Sequence, residues 1–170
     1  MPTTHSNATR RTASCIRANR RAGFSLIELT MTLAIGIILA ALAVPAVRSA
    51  IQYFRVRSAA SSIAGAIQST RYRAIFDECP HNITLNKTAN TLQVGSETAS
   101  GNTCAATFTN VGAAVPFGST AVALNQDVTL QFRPSGHVQA TTGTTTFTLT
   151  YGSTTKTVTV SSYGNINVTP

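Results

Sequence analysis

The feature that most constrains this chain is an apolar run over residues 24–47, in which Glu28 is the only ionisable side chain. As a helix such a run is about 36 Å long, enough to cross the roughly 30 Å hydrocarbon core of a bilayer. Arginines flank it on both sides, and the denser cluster (Arg10, Arg11, Arg17, Arg20, Arg21) comes before it. The positive-inside rule therefore places the start of the chain in the cytoplasm and the bulk of it on the far side of the membrane. A secretory signal peptide shares the basic start and the apolar run, but its cleavage site follows the run. Here the best-marked junction precedes the run, at Arg20-Arg21-Ala22-Gly23-Phe24-Ser25-Leu26-Ile27-Glu28-Leu29. An uncleaved signal anchor is the simpler alternative, and it leaves Glu28 unexplained.

A carboxylate inside an apolar span is costly and points to a partner. Glu28 lies one helical turn after Phe24. Cleavage after Gly23 would create a positive amine on Phe24. In an assembly the amine of one subunit could sit against the carboxylate of its neighbour, each charge relieving the other.

The stretch from Gly23 to Leu29 resembles the prepilin peptidase motif of type IV pilins and type II secretion pseudopilins. The resemblance implies cleavage between Gly23 and Phe24, N-methylation of Phe24 and a role for Glu28 in subunit docking. It also implies that the chain is a substrate of the processing enzyme and not itself an enzyme. The leader, residues 1–23, is long for this class. Within the run, Pro45 removes a helix hydrogen bond and is expected to kink the helix, with Gly36 a second weak point. Similar pilins loosen their helix in this region, and a simple kink is the plainer reading.

Past Val47 the pattern becomes amphipathic. Ile51, Phe54, Ala60, Ile63, Ile67, Thr70 and Ala74 recur at steps of three and four, which predicts a helix continuing over 48–76 with one face for a packed domain. Small residues at 59–62 and 64–66 suit close approach by a sheet or another helix. Arg48, Arg55, Arg57, Arg71 and Arg73 read as a solvated face, with a phosphate-binding stripe as the other reading.

From Cys79-Pro80 onward the texture is threonine-rich alternation. Strands are expected at 81–86, 90–95, 127–133, 144–151 and 156–161, with Ile166 and Val168 closing the chain. Residues 95–118 read as a long loop pinned by Cys104. Period-two patterning with regular turns indicates an antiparallel sheet, and the amphipathic helix supplies its cover. The expected fold class is α+β: a long N-terminal helix, transmembrane over 24–47 and amphipathic over 48–76, packed against a β-rich domain over 77–170.

Two further stretches resemble the GspH/FimT branch of the pilin superfamily: Thr70-Arg71-Tyr72-Arg73-Ala74 at the helix end, and Phe132-Arg133-Pro134-Ser135-Gly136 as an F-x-P-x-G turn. Pro134 and Gly136 suit a tight turn on physical grounds alone. Members resembling FimT bind DNA through arginines beside a C-terminal glycine. Here that end is Tyr163-Gly164-Asn165-Ile166-Asn167, with asparagine in place of both arginines. Phosphate contacts supply most non-specific affinity, so DNA is disfavoured as a partner, although Lys156 and Arg133 remain.

Charge does not argue otherwise. Of 13 Lys and Arg, five precede Gly23, leaving eight against five acidic residues. Of the three cysteines, Cys15 falls in the leader. Cys79 and Cys104 would bridge in an oxidising compartment, stabilising the fold by about 3.5 kcal/mol through loop entropy; two unpaired buried thiols are the alternative. Their spacing with His81 is too wide for a metal site. His5, His81 and His137 belong to no catalytic motif. Ser135 and His137 read as turn chemistry, and Asp127 does not complete a triad. Asp77, Glu78, Glu97 and Asp127 lack a calcium-loop pattern, although Asp77 and Glu78 could join a calcium site assembled in space. No cofactor, metal or catalysis is expected.

The sequence thus reads as a minor pilin or pseudopilin. The implied partners are other pilins or pseudopilins, prepilin peptidase and the bacterial inner membrane. Its rivals are a pilus-tip DNA receptor and a membrane-anchored periplasmic β domain with no filament role.

Overall fold

The computed structural model describes residues 23–98 and 103–170. The leader expected at 1–23 lies outside the described residues apart from Gly23, and with it His5, Cys15 and the five early arginines. Helix α1 runs Leu26–Phe76 and continues through Pro45. The chain forms two units, Met1–Ala40 and Ala41–Pro170. The described part of the first is apolar helix with every side chain exposed. The most apolar window of α1 has a mean hydropathy of 2.3, and none of that window is buried. Among the described residues there is therefore one helix long and apolar enough to span a membrane.

In the second unit α1 buries Val56, Ala59, Ala60, Ile63, Ile67, Thr70 and Ala74. The Thr70 hydroxyl donates to the Ala66 carbonyl at 2.8 Å, so its burial leaves no unmet polar group. The buried stripe differs from the expected one at its start. Ile51 and Phe54 are 45% and 64% exposed, and Val56 and Ala59 take their place. Three- and four-residue steps allow either register, and where the β domain begins along the helix decides between them. The helix stops for three local reasons. Arg73 stands in its last turn, where a cation suits the helix dipole. Glu78 then adopts a left-handed conformation with φ of 52°. Pro80 cannot continue the ladder.

Ten strands follow. The first are β1 (His81–Asn86), β2 (Thr91–Thr98), β3 (Cys104–Asn110), β4 (Val115–Pro116) and β5 (Ala123–Leu124). Then come β6 (Val128–Phe132), β7 (Val138–Thr142), β8 (Thr146–Tyr151), β9 (Thr154–Val160) and β10 (Ile166–Thr169). They form two antiparallel sheets where one was expected. One has the order β3-β2-β1-β6-β7, with β4 also pairing β2; the other has the order β10-β9-β8-β5. In the first, Ile83 lies between Val94 and Leu130, and Leu85 between Leu92 and Val128. In the second, Phe147 faces Val158. These side chains and the helix stripe form one core.

The stretch 95–118 is not a long loop. β2 extends through it to Thr98, β3 pairs with β2, and β4 pairs with β2 further along. β3 is an edge strand whose Thr107, Phe108, Thr109 and Asn110 are all exposed. A strand whose side chains at 107–110 are all exposed carries little apolar alternation there, so its sequence resembles a loop. Its pairing is set by backbone hydrogen bonds to β2.

Candidate functional site

At the expected cleavage site Gly23, Phe24 and Ser25 precede the helix, and the Ser25 carbonyl accepts the first helical bond from Leu29 N–H at 3.1 Å. Phe24 is 83% exposed. Glu28 stands in the first turn of α1 and is exposed. Free N–H groups at a helix start favour a carboxylate there, so the chain itself tolerates Glu28 without a cationic partner. Pro45 lies within the helix, where its missing N–H leaves the Ala41 carbonyl without its usual donor.

The second place where sequence motifs converge is the far end of the helix. Arg71 is half-buried, and its Nε is buried without a hydrogen-bond partner. It does not belong to the solvated face expected for the helix arginines. Two turns close over it. One holds Gly136, where the Arg133 N–H donates to the His137 carbonyl at 2.9 Å and the Gly136 N–H donates to the Arg133 carbonyl at 2.8 Å. The other holds Gly164, whose N–H donates to the Ser161 carbonyl at 2.8 Å. A β-carbon on Gly164 would lie 2.6 Å from Arg71 Cδ. Phe132 anchors the first turn from inside the core with no exposure, while Pro134 is half-buried. His137 and Tyr163 bridge the two turns with ring centroids 5.3 Å apart. The Arg71 stem thus fills the space between the helix end and both turns. Sequence reading picked out each of the three stretches but not their meeting; an arginine carries no signal of whether its stem packs or is solvated.

Cys79 and Cys104 form a disulfide with Cα atoms 5.5 Å apart, tying the exit of α1 to the start of β3. Beside it the buried ring of His81 has Nδ1 3.0 Å from the Cys79 carbonyl and Nε2 3.1 Å from an Asp77 carboxylate oxygen. A carbonyl only accepts, so Nδ1 carries a proton. His81 and Asp77 are therefore engaged in bracing the helix exit. Among the described residues no group of three or more His, Cys, Asp or Glu is placed to hold a metal.

Arg133, Ser135 and His137 line a depression of about 330 Å³. Asp127 stands just before β6, whereas Ser135 and His137 follow it. Its carboxylate accepts the Lys87 N–H at 2.7 Å. No triad is assembled. Asn165 and Asn167, which follow Gly164, are exposed and neutral.

Residues 18–44 match the prokaryotic N-terminal methylation motif. Residues 59–164, well over half of the chain, match the family of the type II transport protein GspH. The chain belongs to the GspH family. Its members are structural, non-catalytic subunits. No curated protein and no solved structure matches the chain. The GspH match begins at Ala59, within the buried helix stripe, and ends at Gly164. It contains all three parts of the Arg71 clasp. Gly164 has a φ of 75°. Gly164→Ala is expected to lower stability by about 2 kcal/mol, through left-handed backbone strain and contact with Arg71. Thermal unfolding of the full chain in detergent reads this directly, and Arg71→Ala in the same background should recover part of the loss.

Proposed function

We propose that this GspH-family chain is a minor pseudopilin or minor pilin, a filament subunit assembled from the inner membrane by a type II secretion or type IV pilus machine. The leader is cut between Gly23 and Phe24 by prepilin peptidase, and Phe24 is N-methylated. The N-terminal side faces the cytoplasm before cleavage, and the β domain lies in the periplasm. Residues 24–47 serve first as the anchor and then as the filament-packing segment, residues 48–76 carry the domain, and 77–170 form its outer part.

The observation that carries this reading is the pairing of an apolar helix with no cover of its own and a fully formed β domain. A helix that exposes Leu26, Ile27, Leu29, Met31, Leu33 and Ile37 needs lipid or other helices around it. Glu28 is then the registration point: in the filament its carboxylate meets the Phe24 amine of a neighbour. Pro45 weakens the helix ladder where repacking from lipid to protein asks for it.

The test is the protein content of the medium from a strain lacking the gene. Loss of specific exported proteins, restored by the intact gene, would assign the chain to type II secretion. Removing one partner of a buried ion pair costs about 3–5 kcal/mol, so Glu28→Ala should lower incorporation by a hundredfold or more, on the order of the matching equilibrium factor. It should not restore export. Restoration by Glu28→Ala would refute the docking role and favour a plain anchored domain. Unchanged export in the deletion strain would assign the subunit to a type IV pilus, with twitching and DNA uptake as the readouts.

A further inference from the structure

Between Glu28 and Asp77 the chain has no acidic residue, yet Arg48, Arg55 and Arg57 follow directly on the apolar run. Among the described residues none of these arginines pairs with a carboxylate, and neither does Lys156. Two of the four, Arg55 and Lys156, sit on aromatic rings instead. The Arg55 guanidinium lies 5.4 Å from the centroid of Tyr151 and donates to its hydroxyl at 3.4 Å. The Lys156 ammonium lies 5.5 Å from the centroid of Tyr53. The tip of the β8–β9 hairpin is held to the helix at the same level, where the Ser153 hydroxyl donates to Gln52 Oε1 at 3.4 Å. Tyr53, Arg57 and Lys156 also converge at one end of an open groove of about 520 Å³, whose wall continues over the small residues Ser61 and Ala64.

From this arrangement we infer that the foot of the β domain binds anionic lipid headgroups, with Arg57 and Lys156 at the groove and Arg55 beside Tyr151 as the cations that meet their phosphates. The inference rests on reading residues 24–47 as the membrane span. Arg55 lies eight residues past Val47, about 12 Å along the helix. The headgroup region extends about 5–8 Å beyond the hydrocarbon on each side. Long cationic side chains reach back toward that layer while their stems stay on apolar surface. Tyrosines are the residues that settle at this depth. A cation held over a ring keeps most of its N–H donors free for an oxyanion. The same site accounts for Ile51 and Phe54, which the core leaves exposed: they face the interface, where apolar surface is covered by lipid. Nucleic acid offers the same phosphate chemistry but has no use for exposed Ile51 and Phe54 beside the span, so lipid is the ligand the surface favours.

The experiment uses the full chain reconstituted in phosphatidylcholine vesicles carrying a trace of spin-labelled phosphatidylglycerol or spin-labelled phosphatidylcholine. Electron spin resonance reports how much of each label is immobilised by the protein. The expected result is a preference of about threefold or more for phosphatidylglycerol. It should fall to about one in Arg55→Gln/Arg57→Gln/Lys156→Gln, and also for the unaltered chain in roughly 0.5 M NaCl, where screening is strong. Equal immobilisation of the two lipids by the unaltered chain, or a preference that survives either treatment, would overturn the inference. Binding of a labelled DNA duplex to the same vesicles, lost in the triple variant and without any lipid preference, would assign the groove to nucleic acid and overturn it too. Immobilisation of neither lipid, with the chain left behind when vesicles are floated, would overturn the anchoring reading and this inference with it.

Discussion

Phe132→Ala is expected to lower the stability of the β domain by about 4 kcal/mol, the range for a buried phenylalanine replaced by alanine. Phe132 has no exposure. It lies between His81 on β1 and Val138 on β7, at the end of β6. Its loss removes apolar contact and leaves a cavity where three strands meet. It also frees the turn that follows, so the Gly136 side of the Arg71 clasp loses its anchor. For a domain of this size the melting temperature should fall by about 10 °C or more. Circular dichroism of the full chain in detergent measures it, with Phe108→Ala as the comparison. Phe108 lies on the edge strand β3 and is 36% exposed, so its replacement should cost about 1 kcal/mol or less. Equal effects from the two variants would refute the placement of Phe132 in the core.

Cys104→Ser is expected to cost about 3.5 kcal/mol, from the loop entropy that the cross-link removes from the unfolded chain. The bridge spans a sequence separation of 25 and ties the exit of α1 to β3. β3 has little else to hold it, since its exposed side chains add little burial and it pairs with β2 alone. Loss of the bridge should therefore act first on β3 and raise hydrogen exchange at 104–110 before the rest of the sheet responds. Reductant supplies the control: it should lower the melting temperature of the unaltered chain by about the same amount, roughly 10 °C, and leave Cys104→Ser unmoved. A reductant effect of equal size on the variant would show that the stability lies elsewhere.

How much of this was legible in the sequence varies with the kind of signal. The helix was, because its apolar run, its amphipathic continuation and Pro80 beyond its end are local patterns. β1, β6, β8 and β9 were legible because each buries one face, and a buried face imposes alternation. β3 and β7 were not. β7 has only its first residue buried and β3 has exposed faces, so neither carries the alternation that marks a strand. The start of the buried helix face was misread for a related reason: Ile51 and Phe54 are as apolar as core residues, and periodicity does not say whether lipid or protein will cover them.

The sequence by itself determined a membrane-length helix with one carboxylate at its start, a processing motif before it and a β-rich domain after it. These depend on composition and spacing within a few residues, where hydrophobicity and backbone preference act directly. The tertiary structure decided the division into two sheets, the pairing of the edge strand, the closure of two glycine turns over Arg71, and the seating of Arg55 and Lys156 on tyrosine rings. Each of those joins residues far apart in the chain. Their energies come from packing and from the electrostatics of specific neighbours, which exist only once the backbone has brought them together.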